Sequence, residues 1–159
     1  MAAITQLFLS QTVYPRIAGV TYSQISTYAL NNPASYTYMN NNSAAGDNNN
    51  NETGTTLGSL RFVKADTGSV KYIDYIILGY DYLNNLVGGW GVAYTEGVLV
   101  QISDDDASWT TVTTTPTYAS SGSTDGLVRI KIGRNCRYVR LYKSTSGYIA
   151  VLEFSLWGR

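Results

Sequence analysis

The fold class is decided by residues 127–143, which read LVRIKIGRNCRYVRLYK. Apolar side chains at positions 128, 130 and 132 alternate with cations at 129 and 131, and a similar alternation returns from residue 138. A period of two is typical of a strand with one buried face and one solvated face. The stretch therefore predicts two half-buried strands, Leu127–Ile132 and Tyr138–Lys143.

Further strands are predicted on both sides of this stretch. Residues 70–78, 98–102 and 149–157 are rich in apolar, β-prone residues, and the less regular segments 4–9 and 20–28 are weaker candidates. In segment 70–78, strict alternation would place Ile73, Tyr75 and Ile77 on one face and Tyr72, Asp74 and Ile76 on the other. Gly, Ser, Asn and Asp clusters separate the segments. The pattern predicts an all-β chain folded as a sandwich or barrel.

The composition argues against most catalytic and metal-dependent classes. The 159 residues include 11 Lys+Arg, 11 Asp+Glu, no His and a single cysteine, Cys136. Without His, the commonest general base and the commonest zinc ligand are missing, and one cysteine cannot form an internal disulfide. A two-carboxylate glycosidase remains formally open, but no spacing singles out its two acids. We therefore expect a protein that is not an enzyme.

Charge is unevenly distributed along a chain that is neutral overall. Residues 1–126 carry 4 Lys+Arg and 10 Asp+Glu, whereas residues 127–159 carry 7 and 1, which gives net charges of −6 and +6. Two halves of opposite net charge favour self-assembly or an acidic partner. The alternative is that the cations of the second half are ordinary outward-facing strand residues. A pI of about 6.1 argues against nucleic-acid binding. No apolar run reaches the ~20 residues that cross a bilayer, so no membrane insertion is expected.

The composition also divides the chain into three parts. Residues 1–34 are moderately apolar and are expected to form an N-terminal arm or the first strands. Residues 35–60 are rich in Asn and predict a long surface loop, because such a stretch buries too little apolar surface to order itself. Residues 61–159 contain the clearest strands and are expected to form the core of one domain together with 1–60.

Four motifs within residues 61–158 occur in an order that matches a known family. They are Ala65–Gly68 followed by Val70–Ile76, the hairpin Val100–Trp109, the strand Arg137–Leu141 and the closing segment Ile149–Gly158. In this order they resemble the discoidin domain, also called the coagulation-factor type C domain, and its galactose-binding-like relatives. The resemblance implies an antiparallel jelly-roll sandwich whose ligands are met by loops at one end.

The same resemblance implies a structural calcium ion. Its ligands here would be Asp47 and Glu153, with backbone carbonyls completing the roughly six to eight oxygens that calcium prefers. The other reading is that Glu153 pairs with an arginine of a neighbouring strand, and the sequence leaves the two open. For the acidic run Asp104–Asp106, a solvated turn is favoured over a cation site, because neighbouring strand residues point in opposite directions. Trp109, which follows this turn, is expected to close the core.

A ligand site is predicted in the segment Gly79–Tyr94, between two strands. Its rings would stack on the apolar face of a sugar, and its amides and carboxylate would bond the sugar hydroxyls. The stacking residues are Tyr80, Tyr82, Trp90 and Tyr94, and the hydrogen-bonding residues are Asp81, Asn84 and Asn85. The alternative is that Leu86, Val87 and Trp90 pack against the sandwich or against another protein copy.

These features are those of a non-catalytic binding or structural module. The chain begins with Met, shows no leader, ends just after its last strand and is rich in Asn, Thr, Ser, Gly and Tyr. This favours a bacteriophage virion surface protein that decorates the capsid or attaches the tail to the host. Its partners would be other virion proteins, further copies in a homo-oligomer, or a cell-surface glycan. The alternative is a carbohydrate-binding module of a secreted, extracellular bacterial protein that degrades glycans or mediates adhesion.

Overall fold

The described part of the chain consists almost entirely of strands. A computed structural model describes residues 13–24, 51–54, 61–80, 98–115, 126–143, 148–151 and 153–159, with backbone alone for 51–54, 61, 80, 126, 127, 148, 150 and 151. These residues form β1 (Thr21–Gln24), β2 (Asn51–Gly54), β3 (Arg61–Tyr80), β4 (Leu99–Ser103), β5 (Thr110–Thr114), β6 (Gly126–Lys143), β7 (Tyr148–Val151) and β8 (Glu153–Gly158). Among them there is no helix that could span a membrane. The all-β prediction is confirmed.

The longest strands, β3 and β6, pair with each other along their whole length. Their antiparallel ribbon runs from the pair Arg61–Lys143 to the pair Tyr80–Gly126. On one side of the ribbon, β1 pairs with the first part of β3 and β8 pairs with the second part. On the other side, β4 pairs with the second part of β6, and β5 pairs with β4. The strands β2 and β7 form a separate antiparallel pair.

The ribbon bends near its middle and so contributes strands to two layers. The register of β3 shifts between residues 66 and 71 and again between 73 and 75. Positive φ angles occur nearby, 76° at Gly68 and 63° at Gly133 on β6. Bulges and left-handed glycines turn a strand pair sharply. The five-stranded layer contains β1, β4, β5 and the adjoining halves of β3 and β6, and the three-stranded layer contains β8 and the other two halves.

One hydrophobic core lies between the two layers. Tyr22 of β1 reaches across it to Phe154 of β8, with ring centroids 5.9 Å apart and the Tyr22 hydroxyl donating to the Phe154 carbonyl at 2.6 Å. Both layers supply fully or almost fully buried apolar side chains, among them Val63, Ala65, Val100, Val139 and Leu141 from one layer and Ile73, Ile76, Leu78, Phe154 and Leu156 from the other. The buried faces predicted for the two halves of β6 are confirmed at Ile130, Ile132, Val139 and Leu141.

The predicted faces of segment 70–78 are wrong. Ile73 and Ile76 are both fully buried in the core, and Tyr75 instead stacks on Trp157 outside it. The register shift between Ile73 and Tyr75 is the reason, because one extra residue exchanges the two faces for every residue that follows. Strict alternation cannot anticipate such a bulge.

The N-terminal part of the chain adds short strands to this frame. Of the weaker candidates, segment 20–28 contains β1, and its residues 25–28 and the whole of segment 4–9 lie outside the described residues. Within the stretch predicted as a loop, Asn51–Gly54 forms β2 through its pairing with β7. Asn and Gly have little preference for strands, so this element depends on its partner rather than on its composition.

Candidate functional site

Both ends of the long ribbon lie at the same end of the molecule. Tyr22 is paired with Ala65 in the five-stranded layer, and Phe154, which Tyr22 contacts, is paired with Leu78 in the three-stranded layer. Ala65 and Leu78 therefore lie opposite each other across the core. The two ends of β3, one before Ala65 and one after Leu78, extend from there toward the same side. The chain leaves β1, β3 and β6 there and enters β4 and β8 there. We call this side the loop end and the opposite side, where the ribbon turns, the bend end.

The predicted ligand segment is attached to the loop end at both of its termini. Tyr80 is the last residue of β3 and pairs with Gly126. Val98, fully buried just before β4, exchanges hydrogen bonds of 2.8 and 2.9 Å with Thr115. The other predicted residues lie outside the described part of the chain: Asp81, Tyr82, Asn84, Asn85, Trp90 and Tyr94, together with the calcium ligand Asp47. The described residues thus define where the segment starts and finishes.

Glu153, the other predicted calcium ligand, begins β8 at the loop end. Its side chain is fully buried, and its partner across the sheet is Gly79. A Cβ atom at residue 79 would lie 2.8 Å from the Cβ of Glu153, so glycine permits this close approach of β3 and β8. A buried carboxylate needs hydrogen bonds or a cation, because taking a charge out of water is costly. Within the described ranges, no three His, Cys, Asp or Glu side chains cluster closely enough to hold a metal ion.

The acidic turn between β4 and β5 lies at the bend end. Asp105 accepts backbone N–H bonds from Ser108 at 2.7 Å and Ala107 at 2.9 Å and the Ser103 hydroxyl at 2.9 Å. These bonds, the one from Ser108 first, hold the pKa of Asp105 well below its usual range. Asp106 has a φ of 61° and forms an ion pair with Lys64. The predicted solvated turn is confirmed, and its geometry comes from its own backbone donors.

A cavity of about 300 Å³ lies between this turn and the bend of β6. Cys136 of β6 lines this cavity. Burial, with a smaller contribution from Asp104, raises the pKa of its thiol to about 12. The thiol therefore stays protonated at neutral pH and is a poor nucleophile. The sequence reasoning missed this cavity because β6 is remote from the turn in sequence. It is lined by Ile102, Ser103, Asp104, Asp105, Ser108, Thr110, Asn135 and Cys136.

Aromatic and cationic side chains interleave on the outer face of the five-stranded layer. The Arg140 guanidinium lies 3.9 Å from the ring centroid of Trp109 and 4.4 Å from that of Tyr142. Its Nε donates to the Gln101 side-chain oxygen at 2.8 Å. Trp109 is half-buried and also contacts Tyr138, with ring centroids 6.4 Å apart. Trp109 thus packs on the outside of the sheet, and the expectation that it closes the core is wrong.

Comparison with known proteins identifies the fold. No family model and no curated protein matches the sequence. A chitosan-binding module from a chitosanase/glucanase of Paenibacillus sp. IK-5 has a TM-score of 0.60 at 19% identity, covering 91% of this chain and 99% of that chain. The family 32 carbohydrate-binding module of C. perfringens NanJ, in complex with galactose, has a TM-score of 0.62 at 10% identity, covering 91% and 99%.

A lectin from an animal has the same architecture. The fucolectin from striped bass serum has a TM-score of 0.65 at 13% identity and covers 87% of this chain and 46% of that chain. The protein therefore has the discoidin-like, galactose-binding-like jelly-roll fold that the sequence motifs predicted. At these identities the likeness establishes the fold, and function has to be argued from the residues.

Proposed function

We propose that the protein is a non-catalytic glycan-binding module whose ligand is held by the segment between β3 and β4. Tyr80, Tyr82, Trp90 and Tyr94 would stack on the sugar, and Asp81, Asn84 and Asn85 would bond its hydroxyls. The observation that carries the proposal is the attachment of this segment to Tyr80 and Val98, at the end where strands of both layers finish. Loops fixed on a rigid scaffold in this way are where binding residues concentrate.

The similar structures support a sugar as the ligand class. They include a chitosan-binding module, a family 32 module in complex with galactose and a fucose-binding module from Streptococcus pneumoniae. Three acids of the described residues have structural partners, which supports a role without catalysis. Asp66 pairs with Arg137, Asp74 pairs with Lys131, and Asp105 accepts the backbone donors of its own turn. A panel of chromogenic glycosides should show no turnover, and reproducible hydrolysis would refute the non-catalytic role.

The decisive experiment is a glycan array with a matched pair of tryptophan variants. Trp90→Ala should weaken binding by about tenfold or more, because stacking contact and apolar burial are lost together. Trp109→Phe is the control, since Trp109 lies on the outer sheet face beside Arg140. It should leave the array signals unchanged. Signals that survive Trp90→Ala in a folded protein would contradict the assignment of this segment.

A structural calcium ion bound by Asp47 and Glu153 is proposed for the same end. The pairing of Asn51 with Val151 brings the chain before β2 close to the start of β8, and Asp47 is only four residues before Asn51. Four extended residues span at most roughly 14 Å, so the chain is long enough to allow Asp47 to reach the buried Glu153. Calcium bound to both would join the N-terminal segment to the core.

Calorimetric titration and thermal melting test the calcium site directly. At a calcium concentration of 100 times Kd, binding should stabilise the fold by about 2.7 kcal/mol and raise Tm by roughly 5–10 °C. Asp47→Asn should remove most of this shift. Chelator-treated protein that shows neither heat of binding nor a change in Tm would eliminate the metal.

Two settings for this module are proposed, and they can be distinguished. The sequence composition favours a bacteriophage virion surface protein, in the capsid decoration or at the tail, whereas the bacterial modules among the similar structures favour an extracellular, secreted protein. Labelled antibody against the chain should decorate intact phage particles in the first case and culture supernatant or cell surface in the second. Light scattering tests whether the purified protein is a homo-oligomer. A mass equal to that of a single chain would contradict this proposal.

A further inference from the structure

A row of stacked rings and guanidinium groups crosses the outer face of the three-stranded layer. Arg129 of β6 lies 3.7 Å from the ring centroid of Tyr75 on β3. Tyr75 stacks on Trp157 of β8, with centroids 5.6 Å apart and planes inclined by 14°. Arg16, which precedes β1, lies 5.3 Å from the Trp157 ring. The row therefore has a cation at each end and two aromatic rings between them.

Backbone pairing fixes the order of this row. Tyr75 is paired with Lys131 on one side and with Trp157 on the other, and Trp157 forms a bridge with Arg16. The Trp157 indole N–H also donates to the Ser155 hydroxyl at 3.1 Å, which orients the ring. Since neighbouring strands lie about 4.8 Å apart, the row extends over roughly 14 Å from β6 to the segment before β1.

A second aromatic pair with its own cation lies at the bend end. Tyr14 and Tyr72 have ring centroids 5.5 Å apart, and the Arg159 guanidinium lies 5.8 and 5.6 Å from them. Two backbone hydrogen bonds of 2.9 Å between Tyr72 and Arg159 fix the C-terminus to β3. The Arg159 side chain thus adds a further cation to the same region.

The charge of this region is strongly positive. Four cationic side chains, those of Arg16, Arg129, Lys131 and Arg159, are accompanied by one acidic side chain among the described residues, Asp74, so these side chains carry a net charge of +3. The Asp74 side chain is only 7% exposed, whereas those of Arg129 and Lys131 are 58% and 67% exposed. Asp74 therefore lies beneath the cations and holds them in place, and the outward-facing groups are positive.

We propose that this face binds an acidic polysaccharide through Arg16, Arg129, Lys131 and Arg159. A guanidinium that stacks its face on a ring still has donors in its plane, and these match the two oxygens of a carboxylate or sulfate. Stacking also removes much of the side-chain freedom that binding would otherwise have to restrict. Cations distributed over several strands fit a polymer with repeated anionic groups better than a single small anion.

The covered ring faces disfavour other polyanionic partners. Single-stranded nucleic acid is bound by stacking its bases on free aromatic faces, but Tyr75 lies between Arg129 and Trp157, and Trp157 lies between Tyr75 and Arg16. A membrane surface needs large apolar anchors in addition to cations. Among the described residues the exposed large apolar side chains are only Val13 and Val70. Arg16, Arg129, Lys131 and Arg159 lie outside the segment between β3 and β4, so this inference goes beyond the proposed glycan site.

The test measures binding to polygalacturonate and to dextran sulfate, with uncharged dextran as the control polymer. The two acidic polymers distinguish carboxylate from sulfate as the preferred group. Arg129→Gln is compared with Arg140→Gln, because both guanidinium groups stack on rings, at 3.7 and 3.9 Å, on different sheet faces. Arg129→Gln should weaken binding several-fold and the Arg16→Gln/Arg129→Gln double variant about tenfold, whereas Arg140→Gln should change it less than about twofold.

Several results would overturn the proposal. The first is absence of binding to both acidic polymers at low salt. The second is an equal loss of polymer affinity in Arg129→Gln and Arg140→Gln. The third is equally tight binding of single-stranded DNA or anionic vesicles, if that binding is also lost in Arg129→Gln. If the glutamine variants melt early, the wild-type protein decides the question by NMR. The Trp157 indole N–H signal should shift on titration with the bound polymer, and an unchanged signal at saturation would exclude this face. Trp90→Ala should retain polymer binding, which separates this site from the proposed glycan site.

Discussion

Replacement of Gly158 by alanine should destabilise the fold by separating β8 from β3. Gly158 pairs with Ile73, and a methyl group there would lie 2.9 Å from the carbonyl carbon of Tyr72 and 3.1 Å from the Cα of Ile73. It would overlap even more closely with the Tyr72 carbonyl oxygen. These are backbone atoms of a central strand, so no side-chain rotation can relieve the overlap.

The size of the effect follows from the hydrogen bonds that meet at this point. Tyr72 and Arg159 exchange two backbone bonds of 2.9 Å, and the Gly158 N–H donates to the Pro15 carbonyl at 3.0 Å. At about 1 kcal/mol each, the loss of all three would cost about 3 kcal/mol. For a chain of this length, that corresponds to a decrease in Tm of about 10 °C.

Thermal melting of two alanine variants measures this effect against a matched control. Gly68 has a φ of 76° and no atom within 4 Å of an added methyl group, so Gly68→Ala adds only backbone strain. That strain is worth about 1–2 kcal/mol, or roughly 3–6 °C in Tm. The reasoning is refuted if Gly158→Ala melts at or above the temperature of Gly68→Ala.

Three further outcomes are expected. Phe154→Ala should lower the free energy of unfolding by about 3–5 kcal/mol in guanidinium titrations, because Phe154 is fully buried in the core, and a loss below about 1 kcal/mol would argue against that packing. Cys136, with a pKa raised to about 12, should resist a thiol reagent at pH 8 until the protein unfolds, and rapid labelling of the native protein would contradict its burial. The hydrogen bond from Arg137 lowers the pKa of Asp66 in the folded protein. The stabilisation from this bond is therefore present above the unfolded pKa of about 3.9 and is lost as the pH falls through the folded pKa. In urea unfolding, the stability difference between Asp66→Asn and wild type should therefore be largest at neutral pH and should shrink as the pH falls below the unfolded pKa. A difference that does not change with pH would contradict this.

Strand positions could be predicted because alternation is a local property of the chain. β6 keeps its predicted inward side chains at 130, 132, 139 and 141 although it also continues through the bend. The faces of β3 could not be predicted, because the bulge before Tyr75 arises from simultaneous pairing with β6 and β8. In a strand that pairs on both sides, the register belongs to the neighbours as much as to the sequence.

The candidate sites divide in the same way. The segment from Tyr80 to Tyr94 was recognisable because its rings and amides are close in sequence, and its role in binding stays a prediction. The row of Arg129, Tyr75, Trp157 and Arg16 was not recognisable, because its members belong to four separate segments. Each residue alone is an unremarkable polar or aromatic position.

By itself, the sequence determined that this chain forms strands, which side of most strands is apolar, and which jelly-roll architecture its motifs resemble. These properties depend on residues that are close together in the chain, so the order of the residues is enough to predict them. Only the tertiary structure decided where the ribbon bends, that Asn51–Gly54 becomes a strand, and that cations from distant segments stack on one outer face. Those features depend on pairing between residues far apart in the chain, and the free energy of such pairing is set by the partner strand.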